Sequence, residues 1–366
     1  MNESPPILTE PQSDTGTAPP FLLGFWYYAM ASHELVAGKT CAVVIMGEPI
    51  LLGRTRDGAA FALSDTCPHR GTLLSRGSFD GQEVECPYHG WRFNSGGQCT
   101  AIPSQLPDQR PQPTDIKTNC FPVQESQGNL WLYMGRPHLG RPQENLPTLP
   151  RVPEVPAVGD RFQLHLRRRF DCSIDLAITG LMDPAHGAFV HASTVWRGHR
   201  DVRTKEKQFS PAPLGWRMDK HTASGNARAY RLFLGGAPET EITYSLPGVR
   251  IEHATTGRFT YCGLTACTPV DAQTTDVHHV MYWDVPGGGL TRILVRRVAG
   301  RFLGQDADAV ADMRDGQAYD PETMLVQDAD TQIRWYYRLK KEWQQSRKED
   351  RPFRNPIETA VLRWRS

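Results

Sequence analysis

Long apolar runs are missing from this chain of 366 residues. No stretch reaches the roughly 18–20 apolar residues of a membrane-spanning helix, so no membrane span is predicted. An excess of one charge sign is missing too: 41 Lys and Arg face 40 Asp and Glu, a formal net charge of +1. So even a balance gives no global pull toward nucleic acid or a membrane, and any charged docking face must be local. The N-terminus lacks a basic segment followed by an apolar one. Residues 1–20, rich in Pro, Ser and Thr, read as a disordered leader and not as a secretion signal. Cysteine is sparse for a disulfide scaffold: eight, at positions 41, 67, 86, 99, 120, 172, 262 and 267, with only two in a ligand-like setting. A reducing, cytoplasmic setting is therefore predicted. No G-x-G-x-x-G loop follows a strand and no internal repeat recurs, which argues against a built-in nicotinamide or flavin site and against a solenoid.

What is present is ordinary globular material, 39% hydrophobic and 22% charged, on a length that predicts two domains or one large composite one. From residue 21 a dense run, "FLLGFWYYAM", begins ordered structure. Short strands follow to residue 135, among them "CAVVIM", "PILLGR", "FALS", "VECP", "WRFN" and "LWLYMG", broken by Gly, Pro and Asp. That spacing predicts a small all-β domain over residues 21–135. Residues 136–158 are proline-rich and aperiodic and read as a linker. Residues 159–366 change character. "FQLHLRRRF" alternates like a strand before a helix-like segment, and "ETEITYSL", "VRIEHAT", "FTYCGLTACTPV", "VHHVMYWDV" and "RILVRRV" read as strands. "LGQDADAVADMRDGQ" and "DADTQIRWYYRLKKEWQQSRKE" read as helices. An α+β domain with an antiparallel sheet and flanking helices is the simplest architecture.

Two short arms carry metal-binding chemistry. Cys67-x-His69 is followed, after sixteen residues, by Cys86-x2-His89. A finger-type zinc site would pair its cysteines on one arm and its histidines on the other. Here each arm offers one thiolate and one imidazole, the ligand logic of a [2Fe–2S] centre in which two histidines replace two cysteines on one iron. "CPHRG" and "CPYHGW" resemble the two ligand loops of the Rieske domain in Rieske-type non-haem iron oxygenases. The Rieske proteins of respiratory complexes are excluded, because they carry an additional cysteine on each arm for a disulfide. Here Arg70 and Gly71 follow His69.

A Rieske cluster moves single electrons, so a second site must receive them. "LMDPAHGAFVH", residues 181–191, holds Asp183, His186 and His191. Two histidines and a carboxylate are a common holder of oxygen-activating iron(II). Five residues apart, the two imidazoles would diverge by about 140° on a regular α-helix, so the backbone must be irregular there. Pro184 and Gly187 supply the means. Without the Rieske arms upstream, the plain alternative is Asp183 as a helix N-cap before a first-turn proline, with two core histidines.

The two motifs together resemble the α-subunit of Rieske oxygenases over nearly the whole chain, closest to the branch that includes pheophorbide a oxygenase and related monooxygenases. The resemblance implies an all-β Rieske domain followed by a helix-grip (START-like) catalytic domain. It makes Cys67, His69, Cys86 and His89 the cluster ligands, and His186 and His191 ligands of a mononuclear Fe(II). It makes Asp183 the electron bridge between centres, joining one subunit's iron ligand to a neighbour's cluster histidine in a head-to-tail homotrimer. The third iron ligand should be a downstream acid that follows Glu or Gln at the start of a helix. Asp306 after Gln305 fits best, with Asp308 next and Asp312 and Asp328 behind. Family members often carry an acidic residue or Asn just before the histidine motif, where this chain has Thr179 and Gly180.

The implied activity is that of a terminal oxygenase. It uses O2, with NAD(P)H electrons delivered by a separate reductase, directly or through a ferredoxin, to hydroxylate, demethylate or desaturate a hydrophobic, aromatic or polycyclic substrate. Monooxygenation is favoured over dioxygenation. An electron carrier or redox sensor without mononuclear iron, and a zinc-binding interaction module, are the competing readings. The stretch from Arg334 to Arg365 has ten Lys or Arg against four acids, read as an exposed helix and tail or as a docking face for an acidic redox partner. His278 and His279, adjacent in a strand, should face opposite sides. Cys172, Cys262 and Cys267 read as small buried apolar residues, and Trp26, Trp91 and Trp131 as packing for the β domain.

Overall fold

The computed structural model describes residues 21–135, 150–156, 162–191, 202–222 and 233–366. The predicted leader, residues 1–20, and most of the predicted linker, residues 136–149 and 157–158, lie outside the described residues. Contacts divide the chain into two compact units, one built on Leu23–Glu154 with Thr268–Asp271, the other on Val155–Cys267 with Ala272–Ser366.

The first unit is all-β. Its strands are β1 (Phe25–Ala31), β2 (Lys39–Ile45), β3 (Glu48–Arg54), β4 (Ala60–Ser64), β5 (Ser78–Phe79) and β6 (Glu83–Glu85), then β7 (Arg92–Asn94), β8 (Cys99–Ala101), β9 (Cys120–Phe121), β10 (Val123–Ser126) and β11 (Asn129–Met134). They form three antiparallel sheets, ordered β1-β11-β10, β2-β3-β4-β9 and β5-β6-β7-β8. The aromatic run seen in the sequence lies on β1, where Tyr28 meets Trp131 of β11 edge-on at 5.4 Å, and both are fully buried. A core of Leu51, Leu63, Leu74, Val84 and Phe93 includes Cys67 and Cys86, so both of these cysteines rest on packed apolar side chains.

The second unit contains β12 (Leu164–Phe170), α1 (Ile174–Met182), β13 (Thr204–Ala212), β14 (Gly215–Thr222), β15 (Glu239–Ser245), β16 (Val249–Thr255), β17 (Thr260–Asp271), β18 (Thr274–Trp283), α2 (Gly288–Gln317), α3 (Thr331–Lys348) and β19 (Ala360–Arg365). An eight-stranded sheet runs β12-β18-β17-β16-β15-β14-β13-β19. This is an α+β unit with an antiparallel sheet and long helices. Helix α3 is held to the sheet by Trp335, Tyr336 and Leu339, all buried and spaced along one helical face. Each such side chain contributes roughly 1.5–3 kcal/mol through burial. Trp335 meets Phe209 and Trp216 at 5.6 Å, and Gln332 accepts a hydrogen bond from the Trp216 indole at 3.1 Å.

Two segments differ from the sequence reading. "RILVRRV" is not a strand but part of α2, which begins at Gly288. Its apolar residues Leu290, Ile293, Leu294 and Val298 recur at helical intervals, a stripe that β-branched content alone disguises. The chain after α3 is not a loose tail. Ala360–Arg365 pairs antiparallel with β13, placing Leu362 and Trp364 in the core while Arg363 and Arg365 face out.

Helix α1 is fixed at both ends. Ser173 caps its start by accepting a hydrogen bond from the Leu176 amide, and the Asp175 carboxylate accepts from Tyr336 Oη and Lys340 Nζ of α3, each at 2.5 Å. Near its end, an added Cβ on Gly180 would lie 2.5 Å from Val310 Cγ2 of α2. Only glycine lets the two helices approach this closely, and that brings the residues after α1 beside the middle of α2.

Candidate metal centres

The Rieske arms form two matching knuckles. In the first, which follows β4, the Cys67 amide donates to the Thr72 carbonyl at 2.9 Å and the Gly71 amide to the Cys67 carbonyl at 2.9 Å. In the second, between β6 and β7, the Cys86 amide donates to the Trp91 carbonyl at 2.8 Å and the Gly90 amide to the Cys86 carbonyl at 3.1 Å. Gly71 and Gly90 hold φ of 73° and 69°, the left-handed region that closes each knuckle and that side chains resist. The knuckles face each other. The His69 and His89 rings lie 4.7 Å apart, and the Cys86 thiol lies near enough to Cys67 to raise its pKa.

Burial sorts the four donors. Both cysteines are buried, His89 is half-buried and His69 is exposed. Trp91, read as packing, also stacks on the His69 ring at 4.6 Å, nearly parallel to it. Burial, reinforced by Cys86, pushes the Cys67 thiol up to about 11. Two buried thiols face to face, with two imidazoles on the outer side, fit a group that binds thiolate on one side and imidazole on the other, as a Rieske cluster does.

In the second unit α1 stops at Met182, and the turn that follows carries both histidines. Asp183 Oδ1 accepts the Ala185 amide at 2.7 Å, and His186–Ala188 form a single 3-10 turn. The irregularity expected from Pro184 and Gly187 is therefore a helix end, and it brings the two imidazoles together. His186 Nε2 and His191 Nε2 are 3.3 Å apart. Asp306 Oδ1, from the middle of α2, lies 3.4 Å from the first and 3.1 Å from the second. Among the described residues this is the one His/Cys/Asp/Glu group whose ligand atoms all lie within 4.8 Å of one another.

Asp308, the alternative third ligand, is not brought there. It is exposed, because two residues along an α-helix turn a side chain about 200° away. Asp312 is exposed as well, and Asp328 accepts the Arg363 amide at 3.0 Å far from the trio along the chain.

Each imidazole is held from behind. His186 Nδ1 faces the Asp183 carbonyl at 2.6 Å, and His191 Nδ1 faces Gln305 Oε1 at 3.2 Å. A carbonyl and an amide oxygen can only accept, so Nδ1 carries a proton in both rings and Nε2 is the nitrogen turned to the shared space. Burial works against the Asp306 charge, but the two histidines outweigh it and hold the carboxyl below its ordinary range. Phe302, one turn before Asp306, stacks on His191 at 3.9 Å and shields it. Gln305 and Phe302 were not singled out from the sequence as site residues. The usable signal is position, since both lie within one helical turn of Asp306. Two imidazoles and a carboxylate on one side of a shared point fit a facial iron triad with open positions opposite.

Asp183 itself is half-buried. Burial raises its carboxyl above the usual range, and its Oδ2 lies 3.9 Å from His186 Nδ1, beyond the carbonyl contact that holds that ring. His278 and His279 face opposite sides of the sheet: His278 meets His165 at 3.2 Å, and His279 meets Thr265 Oγ1 at 2.9 Å. Cys172, Cys262 and Cys267 are buried. Among the described residues no helix is long and apolar enough to cross a membrane.

Comparison with known proteins identifies a domain in each unit. Residues 25–122 match the Rieske [2Fe-2S] domain, and residues 170–343 match the vanillate O-demethylase oxygenase C-terminal domain. Chlorophyllide a oxygenase of Chlamydomonas reinhardtii is 35% identical over 179 residues, 48% of this chain and 26% of that protein. The oxygenase component of dicamba O-demethylase from Stenotrophomonas maltophilia is 32% identical over 176 residues, 47% of this chain and 48% of that protein. The match thus spans less than half the length of each of these relatives. Among solved structures, apo dicamba monooxygenase covers 90% of this chain and 99% of its own at a TM-score of 0.66 and 20% identity, a likeness of fold. With the Rieske domain and the oxygenase C-terminal domain joined in order, and His186, His191 and Asp306 converging in the second, the chain belongs to the Rieske non-haem iron oxygenases.

Proposed function

We propose that this chain is the terminal oxygenase component of a multicomponent system, taking NAD(P)H electrons from a separate reductase, directly or through a ferredoxin. The observation that carries this reading is the convergence of His186, His191 and Asp306 within 4.8 Å, in a chain that also holds a Rieske domain. When bound, the cluster at Cys67, His69, Cys86 and His89 supplies single electrons, and Fe(II) at the triad uses them with O2 to hydroxylate, demethylate or desaturate a hydrophobic substrate.

The chain's own residues set the conditions. The Asp183 carbonyl and Gln305 hold the Nδ1 side of each ring and so turn both Nε2 atoms toward the iron site, Phe302 keeps water from His191, and the exposed His69 edge offers a path for electrons out of the cluster. Asp183 is the bridge between centres, linking His186 of one subunit to a cluster histidine of the next in a homotrimer. In support, its carbonyl holds His186 while Oδ2 stands 3.9 Å from that ring. Monooxygenation is supported by relatives described as a demethylase and as the 4β-methylsterol monooxygenase of Methylococcus capsulatus. The 35% identity to chlorophyllide a oxygenase supports kinship with the pheophorbide a oxygenase-like branch.

The test is oxygen uptake by the metal-loaded chain with a generic reductase and a panel of aromatic and polycyclic compounds. Substrate-dependent O2 consumption with an oxidised or demethylated product is expected. Cluster reduction and reoxidation that no compound accelerates would favour the electron-carrier reading.

A further inference from the structure

Helix α2 carries two apolar stripes, where packing on a core needs one. Val295 and Ala299 pack against Leu164, Tyr261, Met281 and Trp283 of the sheet, and Leu303, one turn on, is buried as well. That stripe accounts for the hold of the helix on its unit. The second stripe has no such use: Leu290, Ile293 and Leu294 are 78%, 54% and 62% exposed, and Val298 is exposed too. At about 100° per residue, Leu290 and Leu294 fall on the far side of the helix from the stripe that meets the sheet.

The charges around this second stripe are all positive. Arg297 and Arg301 continue the line of Leu290 and Leu294, Arg292 and Arg296 lie beside it, and all four are exposed. Between Asp284 and Asp306 the sequence has these four arginines and no acid, and Asp306 is turned to the histidine pair. Among the described residues no ion pair joins any of the four to a carboxylate, whereas Arg314, further along α2, pairs with Asp315 at 2.6 Å. No side chain caps the helix start at Gly287, and a helix N-terminus favours phosphate.

Charge and shape select what covers this face. A second copy docked on it face to face would set arginine against arginine. An acidic protein would answer the arginines, but a single convex helix with three large aliphatic side chains also demands an apolar groove. An anionic lipid surface meets both demands, with phosphates at the level of the arginines and acyl chains beneath. We propose that the first half of α2 docks the protein on an anionic lipid surface. Its start dips Leu290, Ile293 and Leu294 into the acyl boundary, and Arg292, Arg296, Arg297 and Arg301 reach the lipid phosphates. No described helix is long and apolar enough to span a membrane, so the contact is peripheral and reversible. This goes beyond the oxygenase reading and does not depend on it.

The experiment is co-flotation of the full-length, metal-loaded chain with vesicles of phosphatidylcholine alone, or of phosphatidylcholine and phosphatidylglycerol in equal parts. Binding to the anionic vesicles is expected to be at least about tenfold tighter and to weaken as salt is raised. Leu290→Ser with Leu294→Ser should lower it about tenfold or more, and so should Arg297→Gln with Arg301→Gln, with unchanged circular dichroism and cluster absorption. Arg297→Lys with Arg301→Lys should retain it. In Leu294→Trp, tryptophan emission should shift to the blue on adding anionic vesicles. No binding by the native chain, equal binding to both vesicles, or undiminished binding in either weakening pair would each overturn the proposal. Binding to poly-glutamate but not to vesicles would assign the face to an acidic protein instead. Loss of self-association in Leu290→Ser with Leu294→Ser, without vesicle binding by the native chain, would assign it to a subunit contact.

Discussion

Replacing Gln305 by Leu tests how the triad is built. Leu matches Gln in length and in helix preference, so α2 and its packing should survive. What disappears is the acceptor 3.2 Å from His191 Nδ1. His191 is only 5% exposed, so water is poorly placed to take over. For Nε2 to bind metal the proton must stay on Nδ1, and in the variant it stays there unsatisfied. A buried donor left unpaired costs about 1–3 kcal/mol. Converted at about 1.4 kcal/mol per decade, that weakens Fe(II) binding roughly 5- to 150-fold, in line with the 10–100-fold usual for partners behind metal ligands. Anaerobic competition against a chromophoric Fe(II) chelator reads this directly, with cluster absorbance reporting an intact first unit. Gln305→Glu, which keeps an acceptor, should bind iron at least as tightly as the native chain. If Gln305→Leu binds Fe(II) within about twofold of native, the orienting role is wrong.

Three further outcomes follow from the same geometry. Asp306→Ala should lower bound iron from about three to about two per chain, with the Rieske spectrum unchanged, while Asp308→Ala should retain all of it. Asp183→Asn should keep both metals and the fold, because burial already disfavours the Asp183 charge, yet nearly abolish coupled turnover; full coupled activity would remove the bridge role. Burial pushes His278 from 6.5 down to about 3, so between those values the unfolded chain binds a proton that the folded chain refuses. Stability should therefore be full above pH 6.5 and fall on acidification toward pH 3, by up to about 1.4 kcal/mol per pH unit for this group. His278→Phe should reduce that slope in urea unfolding midpoints measured across pH, and an unchanged slope would contradict the assignment.

Legibility from sequence followed the range of the interactions. The cluster arms were readable because each knuckle is closed within five residues, by Gly71 and Gly90, and the motif records that closure. His186 and His191 were readable for the same reason, although the helix end that brings them together could only be anticipated through Pro184 and Gly187. The proposed third ligand lies more than a hundred residues downstream, among acids with similar surroundings in sequence. Helical phase chose Asp306 over Asp308, and that phase is set by packing of α2 against α1 at Gly180 and Val310. Gly180, noted as a departure from the family pattern, thus has a packing reason. Strand β19 was missed because its partner β13 lies far away in sequence, and a lone edge strand of alternating Arg and apolar residues resembles a charged tail. The start of α2 was misread because Ile and Val suggest strand wherever their spacing is not weighed first.

On this reading one chain carries two iron centres of different kinds. Combined iron and acid-labile sulfide analysis of the anaerobically reconstituted protein tests it most directly. About three irons and about two sulfides per chain are expected, with one iron lost selectively in Asp306→Ala. Two irons with two sulfides in the native chain, or iron without sulfide, would contradict it.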